Sequence, residues 1–388
     1  MKVVISCSTK FHAFALAEQM EKAGLLRSFY TTFYSRKNIF FKKFVSRIDT
    51  EELSIYSTKT NIFLAILIKI FPKVSFFWND LFDWWVAHKL KKNPNFDVFI
   101  GWSGMSLHSI RQVKKMGKIA IVERGSSHIL FQNEILKKEY AKHGITFSIN
   151  QKVIDKELKE YEEADYISIP SNFVKSTFIE KEFNESKLLL NQYGVNVSNF
   201  GKELVIKSQN DNLKLLYLGS LSFAKGIPYL FEALKDIKNS FQNFEVHFVG
   251  SISDDFVEFC NANKEMDWIF HGHIPHHKLK DTLVGFDLAI QPSLQEGLSM
   301  VLAQLLASGL PVIATTNTGG MEFIKDGYNG YIVPIRNSKA IKDKIELLYF
   351  DRILLNTLKA NARESIKNGF TWDDYGNRWK ENLGKIII

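Results

Sequence analysis

Two loops in the second half of the chain carry the residue types that anion and sugar chemistry needs. The first is Gly219-Ser220-Leu221-Ser222-Phe223-Ala224-Lys225-Gly226, between an apolar run and a helical pattern. Its end glycines permit close backbone approach, and Lys225 stands where a cation meets a phosphate near a helix N-terminus. It is not a Walker A loop, because the lysine precedes the closing glycine and no Gly-Lys-Ser/Thr follows. A plain strand-turn-helix with a surface lysine would read the same way. The second loop is Pro292-Ser293-Leu294-Gln295-Glu296-Gly297-Leu298-Ser299, leading into a helix through Gln304. A helix opening just after an acid and a glycine offers its first backbone N–H groups to an anion. Glu296 suits sugar hydroxyls, since carboxylates make charge-assisted hydrogen bonds; the alternative is an acid placed there by the helix dipole.

A third loop, Glu123-Arg124-Gly125-Ser126-Ser127-His128, follows the apolar run Ile119 to Glu123. Strand-end loops are favoured places for function. Arg124 suits a phosphate, and His128 suits a sugar hydroxyl or a proton in transit, with a structural cap as the alternative. His271, His276 and His277 match no zinc spacing and read as solvated loop residues. Cys7 and Cys260 lie far apart without a CxxC pattern, so a disulfide framework is not indicated and a reducing setting fits.

These loops sit in a chain where short apolar runs alternate with helical patterns, the appearance of βαβ units around parallel sheets. Strands are expected at Val3 to Cys7, Asp97 to Gly101, Ile119 to Glu123, Ala164 to Ile169 and Lys187 to Leu190. After the polar stretch Lys207 to Asn212, a second series gives strands at Leu213 to Gly219, Phe244 to Val249, Leu288 to Gln291 and Pro311 to Ala314. Helices are expected at His12 to Ala23, Ser106 to Met116, Gln151 to Glu163, Pro228 to Ile237, Leu279 to Val284 and Leu298 to Ser308. The aromatic segment from Phe370 to Lys380 has near-helical spacing and suits packing back on the first half.

With 388 residues and 45% hydrophobic composition, the chain can bury two cores. Its N-terminal run reads as a buried strand rather than a signal peptide. The most apolar stretch, Asn61 to Phe77, is interrupted by Lys69 and Pro72. The net charge of +8 is concentrated early: residues 1–115 hold 18 Lys/Arg against 8 Asp/Glu. Arg36-Lys37, Lys42-Lys43-Arg47 and Lys89-Lys91-Lys92 alternate with aromatic and aliphatic residues. That pattern reads equally as an anionic membrane surface contact or as a solvated basic face. No nucleic-acid-binding motif is present, and nucleic acid is not an expected partner.

The combination Gly219…Lys225-Gly226, His271-Gly272-His273-Ile274-Pro275, Pro292-Ser293…Glu296-Gly297, Ala307-Ser308-Gly309-Leu310-Pro311 and Asp326-Gly327…Asn329-Gly330 resembles the family-4 glycosyltransferases of the GT-B fold. His12…Leu16-Ala17, Glu160…Ala164-Asp165…Pro170-Ser171 and Tyr193-Gly194-Val195-Asn196 look similar too. The resemblance implies an α/β protein of two Rossmann-like β/α/β domains facing a central cleft. Residues 1–205 would bind the acceptor, 206–371 would bind the donor, and a helix in 372–388 would cross back to the first domain. The implied reaction is retaining transfer of a sugar from a nucleotide-diphosphate donor, a UDP- or GDP-sugar, to a glycan or lipid-linked saccharide. The setting would be bacterial surface polysaccharide biosynthesis (O-antigen, capsule or exopolysaccharide), in the cytoplasm or on the inner face of its membrane. No metal or other cofactor is required, and the leaving phosphate would help deprotonate the acceptor.

On that resemblance Gly219, Ser220, Lys225, Gly226, His273, Ile274, Glu296, Gly297, Leu298, Ser299 and Gln304 contact the donor. Lys10, His12, Arg124, Ser126 and His128 contact the acceptor, and Lys225, Glu296, His128 and Arg124 are the catalytic set. Three departures stand out. Ser220 occupies a position usually held by arginine, Gln304 one usually held by glutamate, and Ser6 to Phe11 lacks the usual paired glycines. The competing readings are a glucan phosphorylase or synthase of the same fold and a non-catalytic nucleotide-sugar or glycan-binding protein.

Overall fold

A computed structural model describes residues 1–9, 11–32, 57–70, 75–196, 200, 206, 208 and 211–386. The first sheet contains β1 (Val3–Cys7), β2 (Leu26–Thr31), β3 (Thr58–Thr60), β4 (Val98–Trp102), β5 (Ile119–Glu123), β6 (Tyr166–Ile169) and β7 (Leu188–Leu190). These seven strands pair in parallel in the order β3-β2-β1-β4-β5-β6-β7. Every residue of β1 and β4 is buried, as expected when helices cover both faces of a parallel sheet. Around it lie α1 (Ala13–Lys22), α2 (Ile62–Ile70), α3 (Ser75–Lys92), α4 (Leu107–Lys115), α5 (Ile129–Lys142), α6 (Gln151–Glu163) and α7 (Asn172–Glu180).

The second sheet contains β8 (Leu213–Leu218), β9 (Phe244–Val249), β10 (Ile269–Gly272), β11 (Leu288–Gln291), β12 (Val312–Thr315) and β13 (Gly330–Val333). It too is parallel, in the order β10-β9-β8-β11-β12-β13. Its helices are α8 (Ile227–Ile237), α9 (Val257–Asn263), α10 (His276–Thr282), α11 (Met300–Ala307), α12 (Ser338–Phe350) and α13 (Arg352–Ser365), followed by α14 (Trp372–Ile386). Strand order reverses between β1 and β4 in the first sheet and between β8 and β11 in the second. Ligands of such sheets sit beyond the carboxyl ends of strands at these switch points. His12 follows β1, Lys225 follows β8 and Glu296 follows β11, so the topology itself gathers them.

Two helices cross between the halves. Helix α14 returns to the first domain and buries Tyr375, Trp379 and Leu383 there, while Gln19 Nε2 on α1 donates to Asp373 Oδ1 at 2.9 Å. Gly376 lets the two helices approach closely, because a Cβ at that position would lie 2.5 Å from Gln19 Oε1. Helix α5 crosses in the other direction. Its Ile135, Leu136 and Tyr140 complete the core formed by Leu215, Phe223, Phe231 and Phe248 of the second domain. Glu139, fully buried between them, accepts from Tyr229 Oη at 2.7 Å and pairs with Arg336 Nε at 2.7 Å.

Two Rossmann-like domains with a returning helix are the architecture that the resemblance implies. The helix expected from Leu298 to Ser308 begins instead at Met300, and the one expected from Leu279 to Val284 occupies His276–Thr282. The domain boundary at 205/206 falls in a stretch mostly outside the described residues.

Candidate functional site

The two loops of the second domain meet. Gly226 caps α8 with φ of 66°, in the left-handed region that glycine tolerates, and a Cβ there would lie 2.0 Å from Pro292 O. This approach sets Lys225 against the loop after β11, where its Nζ pairs with Glu296 Oε1. Ser293 Oγ donates to the same carboxylate oxygen at 3.0 Å, and Glu296 N donates to Asn317 O at 2.8 Å. The Lys225 and Glu296 side chains retain 29% and 18% exposure, so both remain reachable from solvent. Gly219 N donates to Val249 O at 2.9 Å, and Ser220 O accepts from Tyr217 Oη at 2.8 Å. Of the other residues expected at the donor, Gln304 is half-buried on α11, His273 is exposed, and Ile274 is half-buried against the core ahead of α10. Ser299 N is committed to Thr318 O at 3.1 Å, which removes it from the amides that would meet an anion.

Across the cleft the third loop is arranged differently from the expectation. Arg124 is buried, and its guanidinium donates to Ser127 O at 3.0 and 2.8 Å, Gln132 Oε1 at 2.8 Å and Ser103 Oγ at 3.3 Å while pairing with Glu157 at 2.7 Å. These partners occupy its whole fork of donors and leave none for a phosphate. Burial disfavours its charge, yet the Glu157 carboxylate raises the guanidinium above its ordinary range. His128 is the N-cap of α5: its Nδ1 accepts from Leu130 N at 3.3 Å, and its ring packs edge-on against Phe178 at 4.8 Å. Burial, reinforced by Arg124 and Lys181, pushes its pKa down to about 4. Its exposure is 3%, and it does not line the cleft, so the structural alternative describes its placement.

Ser126 faces the other domain. Ser126 Oγ and Ser127 Oγ both donate to Gln295 Oε1, at 3.1 and 2.8 Å. Ser171 Oγ donates to Gly297 O at 2.6 Å. Here the backbones nearly touch, since a Cβ on Gly297 would lie 1.9 Å from Gly125 O. Beside this contact opens a cavity of about 750 Å³, lined from the first domain by His12, Trp102, Arg124, Ser126 and Tyr193 and from the second by Leu298 and Met300. His12 Nε2 lies 2.9 Å from Glu123 Oε1, and its ring lies against Tyr193 at 4.0 Å. Lys10 lies outside the described residues. Glu123, Tyr193 and Gln295 are the site residues that sequence reasoning did not single out. Each stood inside a motif already of interest, but only the fold reveals what it touches.

Residues 203–365 match the model of the family described as Glycosyl transferases group 1. The chain is similar to the capsular polysaccharide biosynthesis glycosyltransferase CapM of Staphylococcus aureus, 29% identical over 46% of this chain and 50% of that protein. It is also similar to the lipopolysaccharide 1,2-N-acetylglucosaminetransferase of Salmonella typhimurium, 26% identical over 56% of this chain and 61% of that protein. The chain thus spans between half and two thirds of the length of these relatives. Among solved structures, Anabaena HepE in complex with UDP and glucose superposes with a TM-score of 0.67 at 14% identity, covering 99% of this chain and 100% of that one. Two parallel-sheet Rossmann-like domains, the returning helix and this structural neighbour together give the chain the GT-B fold, with the group 1 glycosyl transferase match lying in its second domain.

Proposed function

We propose that the chain is a glycosyltransferase moving a sugar from a nucleoside-diphosphate donor, with UDP the first candidate, to a saccharide acceptor in bacterial surface polysaccharide assembly. The observation that carries this reading is the ion pair of Lys225 with Glu296, which joins loops after two different strands at the switch point of the second sheet. A diphosphate entering between the loops takes Lys225 as its counter-ion, and Glu296 is released to hold hydroxyls of the donor sugar. A fixed cation beside the leaving diphosphate stabilises the charge that builds up as the anomeric bond breaks. On this reading Lys225 supplies that charge without a metal, and the sugar is delivered with retained configuration. The capsular and lipopolysaccharide relatives, and UDP in the HepE structure, support the substrate class.

A thermal-shift screen of UDP-, GDP- and ADP-sugars tests the donor. A specific donor at 100 times its Kd raises stability by about 2.7 kcal/mol, and a flat response across the panel refutes the reading. Turnover in EDTA and the anomeric configuration of the product, read by NMR, test metal independence and retention. Binding without turnover on a broad acceptor panel would favour a non-catalytic binding protein.

The acceptor side is placed on an anionic membrane surface by the same proposal. Helices α2 and α3 expose Phe63, Ile70, Phe77 and Trp84 by 58–69%, and Lys89, Lys91 and Lys92 close α3. Aromatic residues beside lysines suit the interfacial zone of a bilayer. Among the described residues no helix is long and apolar enough to cross a membrane. Flotation with phosphatidylglycerol liposomes that fails at low salt removes this part.

A further inference from the structure

A second cavity opens in the first domain, away from the cleft. It measures about 530 Å³, a size that takes a small ligand, and it shares no described lining residue with the cavity at His12. Its walls are β2 and β3, at the free edge of the first sheet, and the second half of α3. Trp85, Lys89 and Asn93 follow at four-residue spacing along the end of α3, so a single helical face supplies all three. The register sets Val4 beside Ser28 and Tyr30 beside Lys59, on the side of the sheet where Val4 and Tyr30 pack with Val86 and Leu90 of α3. Helix α3 ends just ahead of β4, so its last turn stands at the amino ends of the strands, opposite the cleft.

The lining is one-sided in charge. Arg27, Lys59 and Lys89 bring three positive charges, and no carboxylate stands among the described lining residues. Among the described residues, Arg27 and Lys89 have no ion-pair partner. The negative end of the α3 dipole is offset by Lys89, Lys91 and Lys92 in its last turn. Burial raises the Tyr30 phenol above its ordinary range, and Ser28 and Arg27 offset part of that rise, so the hydroxyl stays protonated and adds no negative charge. A concave wall of one sign concentrates its field on whatever enters. Trp85 adds an apolar face. Its ring meets Tyr30 edge-on at 5.6 Å and Phe82 at 5.8 Å, with Lys89 Nζ 6.0 Å from its centre. Asn93 Nδ2 donates to Lys89 O at 3.0 Å and keeps a second hydrogen for a ligand hydroxyl.

We propose that this cavity binds a phosphomonoester carried on a sugar or glycerol. Such a group has three terminal oxygens and close to two negative charges at neutral pH, which match three separate cations better than a single carboxylate does. Arg27 and the two lysines hold the phosphate, and the Trp85 ring packs against the carbon skeleton. The site stands whether or not the cleft takes a nucleotide sugar. A free sugar phosphate and the headgroup of phosphatidic acid present the same chemistry, and the experiment separates them.

Calorimetry with glycerol 3-phosphate and glucose 6-phosphate tests the soluble source. Flotation with phosphatidylcholine vesicles carrying phosphatidic acid tests the lipid source. Both are run on wild type, R27Q/K89Q, K91Q/K92Q and K225A, with folding followed by circular dichroism. Wild type is expected to bind at least one probe, and R27Q/K89Q to weaken that binding about 30-fold. K91Q/K92Q, outside the cavity, and K225A, in the second domain, keep most of it. Binding of a soluble ester assigns a free ligand, and binding confined to the vesicles assigns a headgroup; either supports the site. No binding to any probe overturns the proposal, as does R27Q/K89Q binding like wild type. Equal losses in R27Q/K89Q and K91Q/K92Q also overturn it, because they mark a diffuse basic surface. If R27Q/K89Q does not fold, K59Q on the exposed edge strand takes its place, with an expected loss of about 5-fold.

Discussion

Lys225 and Glu296 are each other's partner, and a part-exposed pair of this kind adds little to stability. Its removal should therefore act on turnover. Lys225→Ala is expected to lower the rate of UDP release about 100- to 1000-fold while the melting temperature changes little; wild-type release would remove the assignment. His128 belongs to stability instead. Its pKa falls from 6.5 to about 4 on folding, so the unfolded chain takes up its proton first as pH drops. The contribution is complete above the unfolded value and is lost as pH falls toward 4, a span worth about 3 kcal/mol. His128→Asn keeps a capping side chain and removes the titration. Its urea midpoint should fall less between pH 7 and pH 4.5 than that of wild type, and parallel curves would contradict this. These roles were only half legible in the chain. Lys225 and Glu296 were readable because glycine and helix-start signals surround them. The partners of Arg124 and His12, namely Glu157 and Glu123, lie far along the sequence, and nothing local marks them.

At the scale of elements, α5 is the least conventional piece. Ile129 packs in the first domain, whereas Ile135, Leu136 and Tyr140 pack in the second, so its apolar residues form two partial stripes in place of one. A search for a single apolar face passes over such a helix. Strand β2, with the sequence LRSFYT, escapes for a related reason, its apolar residues being interrupted by Arg27 and Ser28. By contrast β1 and β5 coincide with nearly unbroken apolar runs and β9 alternates apolar Phe244, Val246 and Phe248 with Glu245 and His247, and all three are found residue for residue. The Glu139 contacts with Arg336 and Tyr229 fasten α5 to the second domain. Glu139→Ala leaves Arg336 without its buried carboxylate and should cost about 3 kcal/mol in chemical denaturation. A loss below ~1 kcal/mol would mean that the apolar contacts alone hold the helix.

For the whole molecule, the crossing helices bind the two domains into one unit. Trp379, fully buried, anchors α14 against the first domain. Trp379→Ala is expected to cost about 3–5 kcal/mol and to lower the melting temperature of the first domain. Calorimetry that finds only the second domain affected would show that α14 is attached elsewhere.

The placement of α5 also governs how the protein can be made. A ribosome emits this helix long before the strands whose core it completes, so its apolar Ile135, Leu136 and Tyr140 must wait, uncovered, until β8 to β13 have emerged. The second sheet, expressed without residues 129–142, would be born missing a wall. For this chain the sensible unit for expression, chaperone protection or fragment design is therefore the pair of domains together, and a cut between the two sheets separates a core from part of its own packing.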